Sequence, residues 1–295
     1  MIPTWVETDS DRRDGAMAED RVDGADDIEK TAADCDLLGA SVGEHVSGVA
    51  TVTLDRPDAR NALNAQLRAE LKDVVAAIED SDVRVVVLTG AAEAKAFVAG
   101  ADVGEFRERD AIEQREIGKR PRVYEVVEGL SQPVIARLNG HALGGGSELA
   151  QACDVRIAHE RAKLGQPEIS LGLIPGGGAT QRLPRLVGEG QAMRLILSGE
   201  LIDAHEAREI GLVDVVCEDE DELDEEVYGL AGSMADKSPV ALEIAKKAVK
   251  ASSRMDLEAG IEYEAELFTT LFSTEDKNEG IDAFFEDRDP EWNGR

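Results

Sequence analysis

Apolar residues recur along this chain with two spacings, and the spacing changes from one segment to the next. Apolar and β-branched residues crowd the segments 36–42 and 48–55, and the turn-forming sequence GEH lies near their junction. This pattern predicts a hairpin of two strands. Over residues 61–80 the apolar residues recur every three or four positions, at Leu63, Leu67, Leu71, Val74 and Ile78. That spacing predicts an amphipathic helix, with Asn61 as its N-cap.

Three later segments are almost continuously apolar, as is typical of strands covered on both faces. They are VRVVVLTG at 83–90, PVIARLNG at 133–140 and DVRIAH at 154–159. Because strands alternate with helices, we expect an α/β fold. From about residue 189 onward the helical spacing repeats, and only VDVVC at 213–217 interrupts it. Ser238 before Pro239 is predicted to cap one of these helices.

These patterns divide the chain into three parts. Residues 1–34 mix Asp, Glu, Arg and Gly without a hydrophobic period, so we expect an acidic, disordered extension. Residues 35–200 are expected to form the core, and residues 201–295 a C-terminal helical region. The apolar stripes of those helices must be buried either on the core or on another subunit.

The charge balance restricts the partners. The chain has 62 acidic and 32 basic residues, a formal net charge of −30. Such a charge repels nucleic acid and anionic lipid, so neither is an expected partner. Because the acidic excess is spread along most of the chain, we also expect a halophilic surface, adapted to a salt-rich cytoplasm where salt screens self-repulsion.

The remaining composition indicates a cytoplasmic location. Cys35, Cys153 and Cys217 are odd in number and unevenly spaced, which disfavours a disulfide framework or a CxxC zinc site. No apolar run approaches the roughly 20 residues of a membrane-spanning helix. The N-terminal segment lacks the basic and apolar regions of a signal peptide.

Two glycine-bearing loops are the first candidates for chemistry. GHALGGGSELAQACD at 140–154 places Gly144, Gly145 and Gly146 between a predicted strand and a predicted helix, and KAFVAGADVGEF at 95–106 follows another strand. GHALGGGS lacks the lysine of a P-loop, and neither it nor PGGGATQ at 175–181 has GxGxxG spacing. Backbone N–H groups at a helix N-terminus suit the oxyanion of a carbonyl substrate. Close packing of a helix on a strand is the alternative explanation.

Two glutamates lie near these loops. Glu148 lies two residues after the last of the three glycines, and Glu168 lies within the apolar, glycine-rich sequence GQPEISLGLIPGGG. Apolar surroundings raise the pKa of a carboxyl group toward neutrality, which suits general acid–base catalysis. In so acidic a chain, a solvated surface position is the alternative for each.

Five segments resemble the enoyl-CoA hydratase/isomerase (crotonase) family, and most closely its short-chain enoyl-CoA hydratases. They are RPDARNALN, AFVAGADV, PVIARLNGHALGGGSELAQACD, GQPEISLGLIPGGGATQRLPRLVG and GLVDVV, in the family's order and spacing. The resemblance begins at about Leu37 and implies an α/β, crotonase-like spiral of ββα turns. It also implies a C-terminal helical trimerisation region, often within a dimer of trimers. The acidic extension has no counterpart in the family.

The resemblance implies roles for single residues. Ala101 and Gly145 match the family's oxyanion-hole amides. Glu148 and Glu168 match its two carboxylates, which add water across a 2-enoyl-CoA thioester to give a 3-hydroxyacyl-CoA. We expect Glu148 to be the base toward water and Glu168 to give a proton to the α-carbon. The other implied substrate-binding positions are Asn61, Ala62, Leu63, Lys95, Ala99, Gly100, Asp102, Gly144, Pro175 and Gly176.

Other residues have weaker claims. Arg56 and Arg60, with Lys95, are candidate partners for the anionic CoA, although solvated surface positions are an equal alternative. Phe268 and Phe285 are candidates for closing the acyl pocket, with core packing as the alternative. His141 lies near the glycines, but we assign it no catalytic role.

The resemblance implies no separate cofactor, since coenzyme A is part of the substrate, and a role in acyl oxidation of the β-oxidation type. Two alternatives stay open. One is a Δ3,Δ2-enoyl-CoA isomerase or related enolate chemistry, which needs only one carboxylate. The other is a non-catalytic relative that binds a partner.

Overall fold

The structure, a computed structural model, describes residues 22–295 as two β-sheets with surrounding helices. The strands are β1 (Leu38–Val42), β2 (Val49–Leu54), β3 (Val85–Gly90), β4 (Ala96–Val98), β5 (Val134–Leu138), β6 (His141–Leu143), β7 (Val155–His159), β8 (Lys163–Gly165), β9 (Leu201–Asp203) and β10 (Val215–Cys217). The helices are α1 (Ala25–Ala33), α2 (Ala65–Glu79), α3 (Ala111–Ile117), α4 (Val123–Gly129), α5 (Gly145–Ala152), α6 (Ala179–Val187), α7 (Glu189–Ser198), α8 (Ala204–Glu209), α9 (Glu220–Ala235), α10 (Pro239–Ala251), α11 (Leu257–Leu271) and α12 (Glu275–Glu286).

The larger sheet has the strand order β1-β2-β3-β5-β7-β10. β1 and β2 are antiparallel, with Leu38 opposite Leu54, which confirms the predicted hairpin. The other neighbours in this sheet are parallel. The apolar segments form β3, β5 and β7 at the centre of the sheet, and every residue of β3 and β5 is buried. Burial on both faces explains why these strands lack polar alternation.

The smaller sheet has the order β4-β6-β8-β9. Along the chain, β3 is followed by β4, β5 by β6, and β7 by β8, and one or two helices follow each pair. The first strand of each pair therefore enters the larger sheet and the second the smaller one. This repeat confirms the predicted spiral of ββα turns.

The helix predicted over residues 61–80 begins later than expected. α2 starts at Ala65, and the Asn64 side chain caps it by accepting a hydrogen bond from the Leu67 N–H at 2.8 Å. The prediction of Asn61 as the N-cap is wrong, because Asn61 has a left-handed backbone (φ 58°) and its side chain is engaged elsewhere. Leu63 is fully buried but lies before the helix.

The predicted disordered extension is wrong for residues 25–33, which form α1. Ala25, Ile28 and Ala32 lie three or four residues apart and are buried, so a narrow apolar stripe docks this otherwise polar helix. Ile28 is wholly inaccessible within the main hydrophobic core. Residues 1–21 lie outside the described residues.

The core also extends beyond the predicted boundary at residue 200. β9 pairs with β8 and β10 pairs with β7, so both sheets need this later segment. α9 covers the larger sheet, where its Leu223 and Val227 pack with Val85 and Ile135. The helices outside the core therefore begin at α10, which Ser238 caps as predicted by accepting a hydrogen bond from the Ala241 N–H.

The last two helices leave large apolar side chains uncovered. α11 contains no buried residue, and Leu257 and Phe268 are 80% and 61% exposed. On α12, Phe285 is 79% exposed. Core packing within this chain, the alternative considered for Phe268 and Phe285, is therefore wrong. Within residues 22–295, no helix combines the length and the apolar character needed to cross a membrane.

Candidate active site

The three consecutive glycines lie where β6 passes into α5. Gly144 has a positive φ of 49°, and Gly145 is the first residue of the helix. A side chain on Gly146 would overlap the Val98 carbonyl oxygen of β4. Close packing of helix on strand therefore explains Gly146. It does not explain Gly145, whose N–H belongs to the first turn and so has no acceptor within the helix.

The second loop follows β4 and is held by residues that precede α2. The Leu63 N–H donates to the Gly100 carbonyl at 2.9 Å, and the Asp102 N–H donates to the Leu63 carbonyl at 3.0 Å. Between them, the Ala101 N–H has no acceptor within residues 22–295. A Cβ placed on Gly145 would lie 3.5 Å from the Ala101 nitrogen. The structure thus brings together the two residues predicted as oxyanion-hole donors.

Glu148 lies one turn into α5 and is 2% exposed. Its Oε1 accepts hydrogen bonds from the Gly177 N–H at 2.6 Å and the Ala179 N–H at 2.9 Å, at the start of α6. Burial raises the pKa of Glu148, and the two N–H groups oppose that rise because they stabilise the carboxylate. Glu148 is therefore a buried carboxylate fixed in place through one oxygen.

Glu168 approaches the same glycines from the short 3-10 turn Pro167–Leu171. Its Oε1 lies 2.8 Å from the position of a Cβ on Gly144, and its Oε2 is buried with no hydrogen-bond partner within residues 22–295. Burial, and secondarily the charge of Glu148, raises the pKa of Glu168 to about 7. The two carboxyl groups therefore interact and differ in hydrogen bonding, with only Glu148 held by backbone amides.

Tyr124, on α4, is a site residue that the sequence reasoning missed. A Cβ on Gly145 would lie 3.0 Å from the Tyr124 hydroxyl oxygen, and one on Gly177 would contact the Tyr124 ring. Its pKa is raised, first by burial and then by the charge of Glu148. Its neighbours Val123 and Val127 are core residues, so in the sequence Tyr124 is indistinguishable from a core aromatic.

Several predicted substrate-binding residues support the loops instead. Asn61 is fully buried, and its Nδ2 donates to the carbonyls of Ala96 and Phe97 while its Oδ1 accepts from the Arg56 N–H. The Asn61 side chain is therefore engaged within the fold, and its predicted role in substrate binding stays a prediction. The Asp102 carboxylate forms an ion pair with the Arg56 guanidinium at 2.9 Å, so each side chain neutralises the charge of the other.

The other predicted positions surround the glycines in different ways. Ala62, Ala99 and Gly100 are half-buried on the paired loops, Lys95 is exposed before β4, and Leu63 is buried below Gly145, with its Cδ1 3.7 Å from a Cβ there. Pro175 is buried and Gly176 exposed in the turn that leads to the Glu148 contacts. Arg60 is exposed, and its carbonyl accepts a hydrogen bond from the Ala99 N–H at 3.0 Å on the loop that leads to Ala101. His141 accepts a hydrogen bond from the Lys163 N–H and does not join the carboxylates.

Two unengaged backbone N–H groups beside one buried and one half-buried carboxyl group can polarise a carbonyl and move protons near it. Fold and site together define an enzyme that stabilises the enolate of a carbonyl compound. A profile of the enoyl-CoA hydratase/isomerase family matches residues 44–295. The chain belongs to that family.

Individual relatives agree with this assignment. The chain is 46% identical over 242 residues to a short-chain-enoyl-CoA hydratase of Clostridium acetobutylicum, covering 81% of this chain and 92% of the relative. It is 45% identical over 248 residues to a 2,3-dehydroadipyl-CoA hydratase of Escherichia coli, covering 84% and 96%. Among solved structures, an enoyl-CoA hydratase subunit from Geobacillus kaustophilus superposes with a TM-score of 0.82 at 37% identity, covering 88% of this chain and 99% of that one.

Proposed function

We propose that this protein is an enoyl-CoA hydratase that converts a 2-enoyl-CoA and water into a 3-hydroxyacyl-CoA. The observation that carries the proposal is the presence of two carboxyl groups, the buried Glu148 and the half-buried Glu168, beside the amides of Ala101 and Gly145. Addition of water needs a base for the water and an acid for the α-carbon. The named relatives support the same activity.

The mechanism assigns one task to each group. The thioester oxygen accepts hydrogen bonds from the Ala101 and Gly145 N–H groups, which stabilise the enolate as it forms. Glu148, whose Oε1 is held by the N–H groups of Gly177 and Ala179, takes a proton from the water that attacks the β-carbon. Glu168, with a pKa of about 7, gives its proton to the α-carbon. The pair thus ends the reaction with its single proton moved from Glu168 to Glu148.

The activity assay uses purified protein in about molar KCl, since the surface carries so much negative charge. Crotonyl-CoA, longer 2-enoyl-CoAs and a 3-enoyl-CoA are compared, and hydration of the 2-enoyl substrates is expected. Glu148→Gln and Glu168→Gln should each reduce hydration roughly 10²- to 10⁴-fold. Glu225→Gln, an exposed position on α9, is the matched control. Undiminished hydration by both site variants would contradict the assignment, and conversion of only the 3-enoyl-CoA would indicate an isomerase.

The uncovered apolar face of α11 and α12 supports a trimer or a dimer of trimers. That face exposes Leu257, Phe268 and Phe285 together. Monomeric proteins rarely expose so many large apolar side chains on one surface. Sedimentation in KCl should give three or six chains per particle, and Phe268→Glu should give smaller particles. A monomeric native protein would contradict this proposal.

The proposal also includes the location of the enzyme, its partners and its adaptation to high salt. The enzyme acts in the cytoplasm on an acyl-CoA, without a separate cofactor, a nucleic acid or a membrane partner, in acyl oxidation. The net charge of −30 supports a halophilic protein. Its melting temperature should rise with added KCl, because salt screens the repulsion between carboxylates. A melting temperature that stays constant or falls would contradict halophily.

A further inference from the structure

Tyr124 is fixed at the site by its own helix. It is the second residue of α4, between the buried Val123 and the half-buried Glu125. The Arg122 guanidinium lies 6.0 Å from the centre of the Tyr124 ring and forms an ion pair with Glu125. Arg122 also donates to the Gly176 carbonyl, in the turn that leads to Gly177. The Arg122 side chain beside the ring is therefore itself held by Glu125 and by the Gly176 carbonyl.

The Tyr124 hydroxyl lies between the amide pair and Glu148. A Cβ on Gly145 would be 3.0 Å from the hydroxyl oxygen and 3.5 Å from the Ala101 nitrogen, so both atoms border the same small space. On the other side, a Cβ on Gly177 would be 2.6 Å from the Tyr124 Cζ and 2.6 Å from the Glu148 Oε2. The phenol thus adjoins both the oxyanion hole and the base.

Nothing in residues 22–295 engages this hydroxyl. Tyr124 is 8% exposed, and its oxygen forms no hydrogen bond with another group of the described chain. The half-buried Tyr228 differs, because its hydroxyl pairs with the Thr51 hydroxyl at 3.3 Å. The Tyr124 ring is buried while its hydroxyl oxygen stays accessible, and a phenylalanine would fill the same space without placing a polar group there. The Tyr124 hydroxyl is therefore free to donate a hydrogen bond to an atom of a bound ligand.

We propose that Tyr124 is a further catalytic residue, whose hydroxyl donates a third hydrogen bond to the thioester oxygen, beside the amides of Ala101 and Gly145. The proposal rests on the function proposed above. The raised pKa of Tyr124 keeps the phenol protonated, as a donor must be. The hydroxyl strengthens its bond as negative charge develops on the oxygen, so it stabilises the enolate more than the bound substrate.

The test is Tyr124→Phe, which removes only the hydroxyl. The expected result is a loss of about 10- to 100-fold in kcat for crotonyl-CoA with little change in KM, since one such donor acts mainly on the transition state. Tyr228→Phe is the matched control, because it removes the hydroxyl of a half-buried tyrosine on α9, which pairs with Thr51 of β2, and should keep kcat. A rise in KM alone, or an unchanged kcat, overturns the proposal.

A spectroscopic measurement separates this inference from the hydratase assignment. Dimethylaminocinnamoyl-CoA absorbs at longer wavelength when its carbonyl oxygen is polarised by hydrogen bonds. Bound to the unsubstituted protein it should show a red shift, which Tyr124→Phe should reduce and Tyr228→Phe should preserve. A full red shift in Tyr124→Phe overturns the inference even if kcat falls. A Tyr124-dependent shift in a protein that hydrates no enoyl-CoA would uphold the donor and refute the hydratase.

Discussion

The shared proton of Glu148 and Glu168 makes the rate of hydration depend on pH in a way that the structure predicts. Only the pair with one proton reacts, because one carboxyl group must accept a proton while the other gives one. Glu168 has an ordinary pKa of 4.5, raised to about 7 by burial and by the charge of Glu148. As the pH rises through about 7, Glu168 loses its proton. Above that point kcat/KM should fall about tenfold for each pH unit.

The same alkaline limb should appear in both directions of the reaction. Hydration neither releases nor consumes protons overall, so its equilibrium constant does not change with pH. The ratio of kcat/KM for hydration to kcat/KM for dehydration must then be constant as well. Hydration starts with the proton on Glu168 and dehydration with the proton on Glu148, yet both draw on the same singly protonated pair.

Initial rates give the test directly. Hydration of crotonyl-CoA is followed by loss of the absorbance of its conjugated thioester, and dehydration of 3-hydroxybutyryl-CoA by its appearance, at constant high KCl. The residual activity of Glu168→Gln should lack the limb near 7, because the amide does not titrate. A kcat/KM that is flat from about pH 6 to about pH 9, or a limb that persists in Glu168→Gln, refutes the pairing of these two groups.

Four other outcomes follow from the structure. In denaturant titrations, Gly146→Ala should lower the free energy of unfolding by about 1–3 kcal/mol or more, because its Cβ meets the Val98 backbone. Gly229→Ala, at an open and exposed position on α9, should instead raise the free energy of unfolding by about 0.5–1 kcal/mol. Equal effects of the two substitutions would contradict the packing of Gly146 on Val98. Ile28→Ala should cost about 2–4 kcal/mol if α1 is docked as described, and a neutral change would show that it is not. For Glu168, the folded-state pKa exceeds the unfolded one, so ionising it in the folded protein is penalised fully above about pH 7 and not at all below about pH 4.5. Glu168→Gln should therefore raise the melting temperature at about pH 8 but not at about pH 4, and the reverse order would refute its burial as a carboxylate.

The elements that the sequence predicted are those whose signal is local. To predict the hairpin and the three apolar strands, only the order of apolar residues in each segment is needed, and that order does not depend on what packs against the segment. α1 escaped prediction because its docking depends on one isoleucine and two alanines within an acidic segment. Asn61 was mistaken for a cap because Leu63 continues the apolar spacing of the helix. Leu63 lies before the helix, however, and is buried where it pairs with Ala101 of the neighbouring loop. The spacing of apolar residues does not show whether a residue is buried as part of the helix or as part of the loop before it.

The residues of the candidate site also differ in whether the local sequence reveals them. Glycines and glutamates could be found because their chemistry is unusual in an apolar context. Tyr124 could not, because valines flank it and an aromatic residue on an apolar stripe indicates only packing. The exposed side chains of Phe268 and Phe285 depend on what covers α11 and α12, which no local pattern encodes.

The glycine loop shows why packing and chemistry are inseparable here. Gly146 lets α5 approach β4 until only backbone separates them. Because Ala101 lies only three residues after the end of β4, that approach is also what brings the Gly145 and Ala101 amides to one space. A side chain at position 146 would push the helix outward and separate the donors, although it touches neither. Gly146→Ala should therefore lower kcat even at low temperature, where the protein remains folded, and a fully active, destabilised variant would show that the two amides are positioned independently of this contact.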